Sequence, residues 1–174
     1  IGDLYRSFMN TEAIEKLGTS PLAGDLAAID AISTKSDFIS TMSRLEMKGV
    51  GGIFGASIYT DAMDSETNII YLSQGGLSLP DESYYREEQY APIREAFLEH
   101  VVKMFTLAGI AVGAEAAASI LALETSIAAC HWDQVRDRDA TLTYNKHSRA
   151  ELEKLAPAFD FPLWLTSGEV PAKA

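Results

Sequence analysis

Apolar side chains recur at intervals of three and four over most of the chain, the spacing that places them on one face of an α-helix. Near the amino terminus this pattern is formed first by Leu4, Tyr5 and Phe8, then by Leu22, Leu26, Ile29 and Ile32, and then by Phe38, Met42 and Leu45. We therefore predict that residues 1–49 are helical and that each apolar face is buried in a core.

Capping and turn-forming residues delimit these helices, because Asn, Ser, Thr and Asp accept hydrogen bonds from free backbone amides at a helix start and Gly ends a helix. The candidate boundaries are Asn10 or Thr11 with Gly18, Ser20 with Pro21, and Ser36 or Asp37 with Lys48 and Gly49.

The hydrophobic period changes between residues 50 and 85. Residues 54–60 and 67–73 are rich in aromatic and β-branched side chains, and the polar residues 61–66 separate them. This arrangement predicts a β-hairpin with a solvated turn. Two strands alone are marginally stable in water, so we expect helices or another domain to cover one face.

The second half of the chain returns to helical spacing. One predicted stripe consists of Ile93, Phe97, Val101, Met104, Phe105 and Ala108, and the next of Ile120, Leu123, Ile127 and Cys130. The connector at residues 109–113 is short, so the two helices should be antiparallel neighbours. Glu115 and Glu124 on the second helix either face outward or pair with another element.

The last part of the chain is predicted to hold one short helix followed by turns. Ser148 with Glu151 forms a capping box for a helix ending near Leu155, and Pro157 and Pro162 predict aromatic-rich turns after it. The pattern as a whole predicts a mainly α, multi-helical fold with one small β-hairpin, in one domain over residues 1–174.

The segment from Gly75 to Tyr85 is the most specific in the chain. Its two glycines allow the backbone to turn, and Pro80 fixes its own φ at about −65° and favours an extended Leu79. Asp81 or Ser83 can cap a helix that follows. We therefore predict a rigid strand-to-helix corner, set by Gly76 and Pro80.

Charge and cysteine content narrow the classes of partner. The formal net charge of −11 argues against nucleic acid or an anionic membrane surface, since both are bound through basic patches. No apolar run approaches the roughly 20 residues of a membrane-spanning helix. Cys130 is the single cysteine, so an internal disulfide is impossible, which slightly favours the cytoplasm over secretion and leaves the compartment itself unknown.

The histidines and the cysteine form no catalytic or metal-binding pattern. His100, His131 and His147 are not arranged as H-E-x-x-H, and a zinc site needs at least three protein ligands. Cys130 and His131 would point about 100° apart on a helix, so they cannot act as a nucleophile and its base. We expect Cys130 in the core and His100 on or near a helix surface.

The charged clusters are interpreted as structural. Asp61, Asp64 and Glu66 lack the glycine and the distal glutamate of a calcium-binding loop, which favours a solvated turn. The charged residues 136–139 favour a structural ion-pair network. The residues themselves thus predict no catalytic, metal-binding or cofactor-binding site in this chain.

Several segments resemble the neprilysin and endothelin-converting enzyme family of zinc metallopeptidases. Residues 4–18 are similar to its L-Y-R-S…N-x-x-A-I…G helix, and residues 74–85 to its Q-x-x-L-G-L-P-x-x-x-Y-Y segment, with Ser78 in place of the second glycine. Residues 138–146 resemble its R-R-D…Y-N-K segment, and residues 157–161 its P-x-F-D-W. The matching positions that we interpret as structural motif residues are Gln74, Gly76, Leu77, Leu79, Pro80, Tyr84, Tyr85, Arg138, Asp139, Tyr144 and Asn145.

The resemblance implies a zinc metalloendopeptidase that cleaves short peptides. The zinc and the H-E-x-x-H helix of such enzymes lie in a C-terminal catalytic domain, which we expect beyond residue 174. This chain would then be part of the helical N-terminal domain, with no cofactor of its own. Its partners would be the catalytic domain of the same polypeptide and the peptide substrates.

Two further expectations follow from the same comparison. The family's eukaryotic ectoenzymes are disulfide-rich, so a single cysteine resembles a bacterial member instead. The alternative function is a stand-alone helical protein-interaction module without enzymatic activity. An H-E-x-x-H motif downstream in the same reading frame would distinguish the two.

Overall fold

The computed structural model describes residues 1–111 and 113–170. In these residues the chain forms eleven α-helices and one two-stranded antiparallel sheet, which confirms the predicted mainly α fold with a single hairpin. The elements are α1 Gly2–Phe8, α2 Thr11–Leu17, α3 Ala23–Asp30, α4 Lys35–Glu46, β1 Phe54–Asp61, β2 Asp64–Gln74, α5 Ser83–Arg86, α6 Ala91–Leu107, α7 Ala114–Ala128, α8 Gln134–Asp137, α9 Ala140–Thr143, α10 Arg149–Leu155 and α11 Phe161–Ser167. Short 3₁₀ turns at Ser20–Leu22 and Glu88–Tyr90 precede α3 and α6.

The first three helices form where the sequence predicts them, but their apolar faces are not buried. Asn10 caps α2 by accepting a hydrogen bond from the Ala13 amide, and Gly18 ends it with a φ of 53°. The expected burial is wrong for Leu4, Tyr5, Phe8, Leu22 and Ile29, each of which is at least 45% exposed. For the residues of α1 and α2, the reason is that these two helices make at most marginal contact with the other described elements.

Helix α4 begins two or three positions earlier than a cap at Ser36 or Asp37 would place it. Thr34 is the cap: its hydroxyl accepts from the Asp37 amide, and the Asp37 carboxylate accepts from the Thr34 amide. The predicted inward position of Phe38 is also wrong, since this side chain is 41% exposed. Ile39 and Met42 are buried instead, because the face that α11 covers is centred on them.

The main core lies between α4 and α11. It consists of Ile39, Met42, Phe161, Trp164 and Leu165, and the rings of Phe54 and Phe159 pack edge-on beside it with centroids 5.3 Å apart. The prediction of only turns around Pro162 is wrong. Proline is tolerated in the first turn of a helix, and the Asp160 carboxylate caps α11 by accepting from the Leu163 amide.

The hairpin spans the predicted residues with a shorter turn. Ile58 pairs with Ile70, and Phe54 at the start of β1 pairs with Gln74 at the end of β2. Asp61 pairs with Asp64, so only residues 62 and 63 lie between the strands, rather than the six residues predicted.

Helices α6 and α7 pack together as predicted for neighbours joined by a short connector. Val101 on α6 and the small residues Ala117 and Ala128 on α7 are buried, which allows close approach of the helix backbones. Each predicted stripe is wider than the face its neighbour covers. Ile93, Met104, Leu123 and Cys130 are therefore exposed, and the expected core position of Cys130 is wrong.

Candidate functional site

A single carboxylate from α7 holds the strand-to-helix corner at residues 75–85. Glu124 accepts hydrogen bonds from the Ser78 amide at 3.2 Å, from the Ser78 hydroxyl at 2.7 Å and from the Tyr85 hydroxyl at 2.6 Å. Of the two sequence alternatives for Glu124, outward orientation or pairing with another element, the structure has the second. The signal was an acidic residue at helical spacing between Ile120 and Ile127.

Tyr85 is the central side chain of this corner. It is 6% exposed, and its hydroxyl oxygen accepts a hydrogen bond from the Leu79 amide at 2.9 Å while donating to Glu124. Burial, followed by the bond to the Glu124 carboxylate, raises the pKa of Tyr85 to about 12. The phenol is thus held neutral as a donor that fixes backbone geometry.

The backbone of the corner lies against the start of β1. Gly76 has a φ of +80°, and a Cβ on it would lie 2.9 Å from the Ile53 carbonyl oxygen. A Cβ on Gly75 would lie 2.8 Å from the Gly55 nitrogen. Both glycines are therefore required by close approach, and Gly76 also by its left-handed conformation.

Neither predicted capping residue, Asp81 or Ser83, is the cap of α5: the cap position is Glu82, which makes no side-chain capping hydrogen bond, because Ser83 is already the first helical residue. The Asp81 carboxylate accepts from the Ser83 amide at 2.9 Å and from the Ser83 hydroxyl at 2.5 Å. These bonds lower the pKa of Asp81. Tyr84 stacks on Tyr90, with ring centroids 4.0 Å apart, which ties the corner to the segment that leads into α6.

Gln74, the last residue of β2, is hydrogen-bonded to the backbone of Trp132, which follows the end of α7. Its side chain donates to the Trp132 carbonyl at 3.1 Å and accepts from the Trp132 amide at 3.0 Å. Beside this pair, His131 Nε2 lies 3.0 Å from the Gly75 carbonyl oxygen, and the Arg136 guanidinium lies 3.8 Å from the centre of the Trp132 ring. This pairing explains why a glutamine fits the position before the glycines.

A second polar node lies at the hairpin end and is not predicted by any pattern in the sequence. Asp61 is 2% exposed and accepts from the Tyr144 hydroxyl at 2.7 Å, from Lys146 Nζ at 2.5 Å and from the Met63 amide at 3.0 Å. These hydrogen bonds lower the pKa of Asp61 to about 2, and the bond from Lys146 has the largest effect. The prediction of a solvated turn is therefore wrong for Asp61.

The remaining motif residues act close to their own positions in the chain. Arg138 donates to the Gln134 side chain at 3.2 Å, Asp139 caps α9 by accepting from the Thr141 amide, and Asn145 donates to the Leu142 carbonyl. The predicted ion-pair network within residues 136–139 is not formed among the described residues.

The motif residues therefore separate into three groups. The corner brings together Gln74, Gly76, Leu77, Leu79, Pro80, Tyr84 and Tyr85, whereas Tyr144 belongs to the Asp61 node and Arg138, Asp139 and Asn145 stay at local helix ends. Leu77 and Leu79 are partly buried and Pro80 is exposed.

Two surface cavities lie beside these nodes. An open groove of about 590 Å³ is lined mainly by apolar residues of α6, among them Ile93, Phe97 and Met104. A cavity of about 390 Å³ lies between β2 and the C-terminal segment, next to Trp164. Tyr144 and Lys146 line it, and both also donate hydrogen bonds to Asp61.

The described residues do not fit a zinc site. Across residues 1–111 and 113–170, no three His, Cys, Asp or Glu side chains lie close enough together to hold a metal ion. Among these residues there is also no helix long and apolar enough to cross a membrane.

Known proteins resemble this chain in both sequence and structure. Endothelin-converting enzyme 1 of Cavia porcellus is 29% identical over 168 residues, which are 90% of this chain and 22% of that protein. Membrane metallo-endopeptidase-like 1 of Mus musculus is 27% identical over 172 residues, again 22% of its length. The zinc metalloprotease Zmp1 of Mycobacterium tuberculosis superposes in its open state with a TM-score of 0.89 and 40% identity, over 95% of this chain and 26% of Zmp1.

The chain thus spans between a fifth and about a quarter of the length of these relatives. The profile of peptidase family M13, in its N-terminal part, matches residues 1–173, which is nearly the whole chain. The chain belongs to peptidase family M13 and corresponds to part of that family's N-terminal, helical region.

Proposed function

We propose that this chain is the helical covering domain of a zinc metalloendopeptidase that cleaves short peptides. In this role it limits which substrates reach the zinc and supplies no catalytic residue. The observation that carries the proposal is the match of residues 1–173 to family M13, together with the likeness to a zinc metalloprotease at a TM-score of 0.89.

The chemistry of the described residues supports a non-catalytic role. The Glu124 and Asp61 carboxylates accept hydrogen bonds from residues that hold the fold, and the Tyr85 hydroxyl is held neutral. The described histidines lie in three separate places, on α6, after α7 and before α10. In this proposal the zinc ligands and the catalytic base belong to the remaining part of the polypeptide.

The expected consequence is a limit on substrate size. A helical domain that closes over the catalytic cleft leaves access through a chamber, and a folded protein cannot enter it without local unfolding, which costs free energy. Cleavage should therefore fall steeply from short peptides to the same segment within a folded protein.

The test uses the complete polypeptide and one ten-residue sequence, presented as a free peptide and within a loop of a folded protein. The peptide should be cleaved and the loop spared, with a zinc chelator abolishing cleavage. An unfolded version of the same carrier protein is the control for accessibility of the loop. Similar rates on peptide and folded carrier would contradict size limitation, and no zinc-dependent cleavage at all would favour the interaction module.

A further inference from the structure

The chain carries an excess of negative charge that its own ion pairs do not neutralise. The 25 acidic residues outnumber the 14 basic ones, which gives a formal net charge of −11. Among the described residues only five ion pairs form, and they involve five carboxylates and four basic side chains. Most of the carboxylates therefore have no basic partner within this part of the chain.

The negative charge persists at neutral pH. Hydrogen bonds to the ionised form lower the pKa of several carboxyl groups below the ordinary value, and these groups are Asp37, Asp61, Asp81, Asp133, Asp139 and Glu151. A carboxyl group with a lowered pKa stays ionised to more acidic pH. The fold therefore keeps these charges rather than offsetting them by taking up protons.

Unpaired carboxylates lie on several separate helices and not in one cluster. Exposed glutamates that form no ion pair with a described residue lie on α2, α6, α7 and α10, and they include Glu12, Glu15, Glu95, Glu99, Glu115 and Glu153. The charge is thus a property of the domain as a whole. It produces a long-range field and not a binding site for one cation.

The reach of such a field depends on ionic strength. The Debye length is about 8 Å at physiological ionic strength and about 30 Å at 0.01 M. The longer distance exceeds the length of α6, whose 17 residues span about 26 Å at the rise of an α-helix. At low ionic strength, carboxylates on different helices therefore act together on a charged solute that approaches the domain.

We infer that this domain biases the parent peptidase toward short peptides of positive net charge. The inference rests on the proposed function, in which substrates pass the covering domain before they reach the zinc. A negative field raises the local concentration of cationic peptides and lowers that of anionic peptides. The bias acts on access to the cleft and is separate from the choice of the bond that is cleaved.

The first experiment compares three peptides as substrates of the complete polypeptide. They share one cleavable core sequence and carry flanking lysines, glutamines or glutamates, so that they differ in charge. At an ionic strength of about 0.01 M, kcat/KM should be at least about tenfold higher for the lysine peptide than for the glutamate peptide. This ratio should approach 1 at about 0.5 M, because salt screens the field. Equal values at low ionic strength, or a ratio that salt does not change, would overturn the inference.

The second experiment tests whether the bias comes from this domain. One variant carries Glu12→Gln, Glu15→Gln and Glu153→Gln, and a second carries Glu95→Gln, Glu99→Gln and Glu115→Gln, so each removes three negative charges from different helices. At low ionic strength, each variant should lower the ratio of kcat/KM between the lysine and glutamate peptides by at least about twofold. Aspartate at the same positions keeps the charge and should keep the wild-type ratio.

Cleavage of the uncharged glutamine peptide is the control for folding, and it should be unchanged in all of these variants. A ratio that falls in neither glutamine variant would overturn the inference, because the bias would then originate outside this domain. A fall in only one of them would indicate a local contact and would overturn it too. For a variant that does not fold, the salt dependence of the wild type still decides.

Failure of this inference can be distinguished from failure of the proposed function. If none of the three peptides is cleaved in a zinc-dependent manner, the peptidase proposal fails and the bias fails with it. If all three are cleaved with equal kcat/KM at low ionic strength, the peptidase proposal stands and only the bias fails.

Discussion

At the scale of single residues, the corner shows which sequence signals are sufficient to predict structure. Gly76 and Pro80 predict a turn from their own backbone preferences, and the φ of +80° at Gly76 agrees with that prediction. Asp61 shows the opposite case. Its partners Tyr144 and Lys146 are 83 and 85 residues away in sequence, so no local pattern reveals that this carboxylate is buried.

Replacement of Gly76 by valine should lower the free energy of unfolding by about 1–3 kcal/mol. The left-handed backbone is strained for a β-branched residue, and its Cβ would meet the Ile53 carbonyl oxygen at 2.9 Å. Urea unfolding followed by circular dichroism measures the effect. Gly24→Ala on α3 is the control, since its Cβ would meet no atom within 4 Å. An unchanged unfolding midpoint for Gly76→Val would mean that neither strain nor contact operates there.

The raised pKa of Tyr85 predicts that the protein loses stability at alkaline pH. Because the folded-state pKa is raised from 10.0 to about 12, the folded state retains its proton where the unfolded state loses it. The contribution of Tyr85 is therefore complete below pH 10 and lost as pH rises from 10 to about 12. Unfolding midpoints measured across this range should fall more steeply for the wild type than for Tyr85→Phe.

Tyr144, whose pKa is also raised, is present in both of these proteins, so the difference between them isolates Tyr85. Tyr59→Phe, at a 73% exposed position, should retain the wild-type pH dependence. Parallel pH profiles for wild type and Tyr85→Phe would exclude Tyr85 as the source.

At the scale of elements, the periodic segments were predicted well, and the segment around Pro162 was predicted poorly. The apolar period identifies α6 and α7, and enrichment in aromatic and β-branched residues identifies the hairpin. Helix α11 was predicted as a turn because Pro162 was taken as a breaker, although it lies in the first helical turn, where its missing amide is not needed. The packing of α11 on α4 is a long-range contact, which periodicity cannot reveal.

Trp164 on α11 should be the most costly single side chain to remove from the α4–α11 core. It is 6% exposed, and its indole donates to Glu46 Oε2 at 2.6 Å. Trp164→Ala should lower the free energy of unfolding by about 3–5 kcal/mol, the range for large aromatic truncations. Chemical denaturation monitored by circular dichroism gives this value.

Trp164→Phe separates packing from hydrogen bonding. It retains an aromatic ring but leaves the Glu46 carboxylate without the indole donor, and the other oxygen of Glu46 has no partner among the described residues. The free energy of unfolding of Trp164→Phe should therefore lie between that of the wild type and that of Trp164→Ala. Val135→Ala, at an 84% exposed position, should change little. A Trp164→Ala variant as stable as Val135→Ala would contradict a large contribution of Trp164 to the stability of the α4–α11 core.

At the scale of the whole molecule, the sequence predicted the fold class and the family but not the extent of burial. Helical periodicity indicates that a face needs cover, yet it does not indicate whether the cover lies within the same 174 residues. Burial was therefore predicted for Leu4 and Phe8, which the described structure leaves exposed. Membership of a family whose proteins are about four times longer gives a physical reason for that difference.

For the whole molecule, we predict that the 174-residue chain binds no stoichiometric zinc. A protein zinc site needs three or four ligands within bonding distance of one point. Among the described residues no such group of three exists. The sequence of the other five positions, Val112 and residues 171–174, contains no His, Cys, Asp or Glu that could add one.

Elemental analysis of the chain, purified without chelator and passed through gel filtration, should find far less than one zinc per chain. The complete polypeptide, treated identically, is the positive arm and should retain about one zinc per molecule if the peptidase proposal holds. One zinc per molecule in both samples would place the metal site within these 174 residues and contradict the division of roles proposed for the two parts.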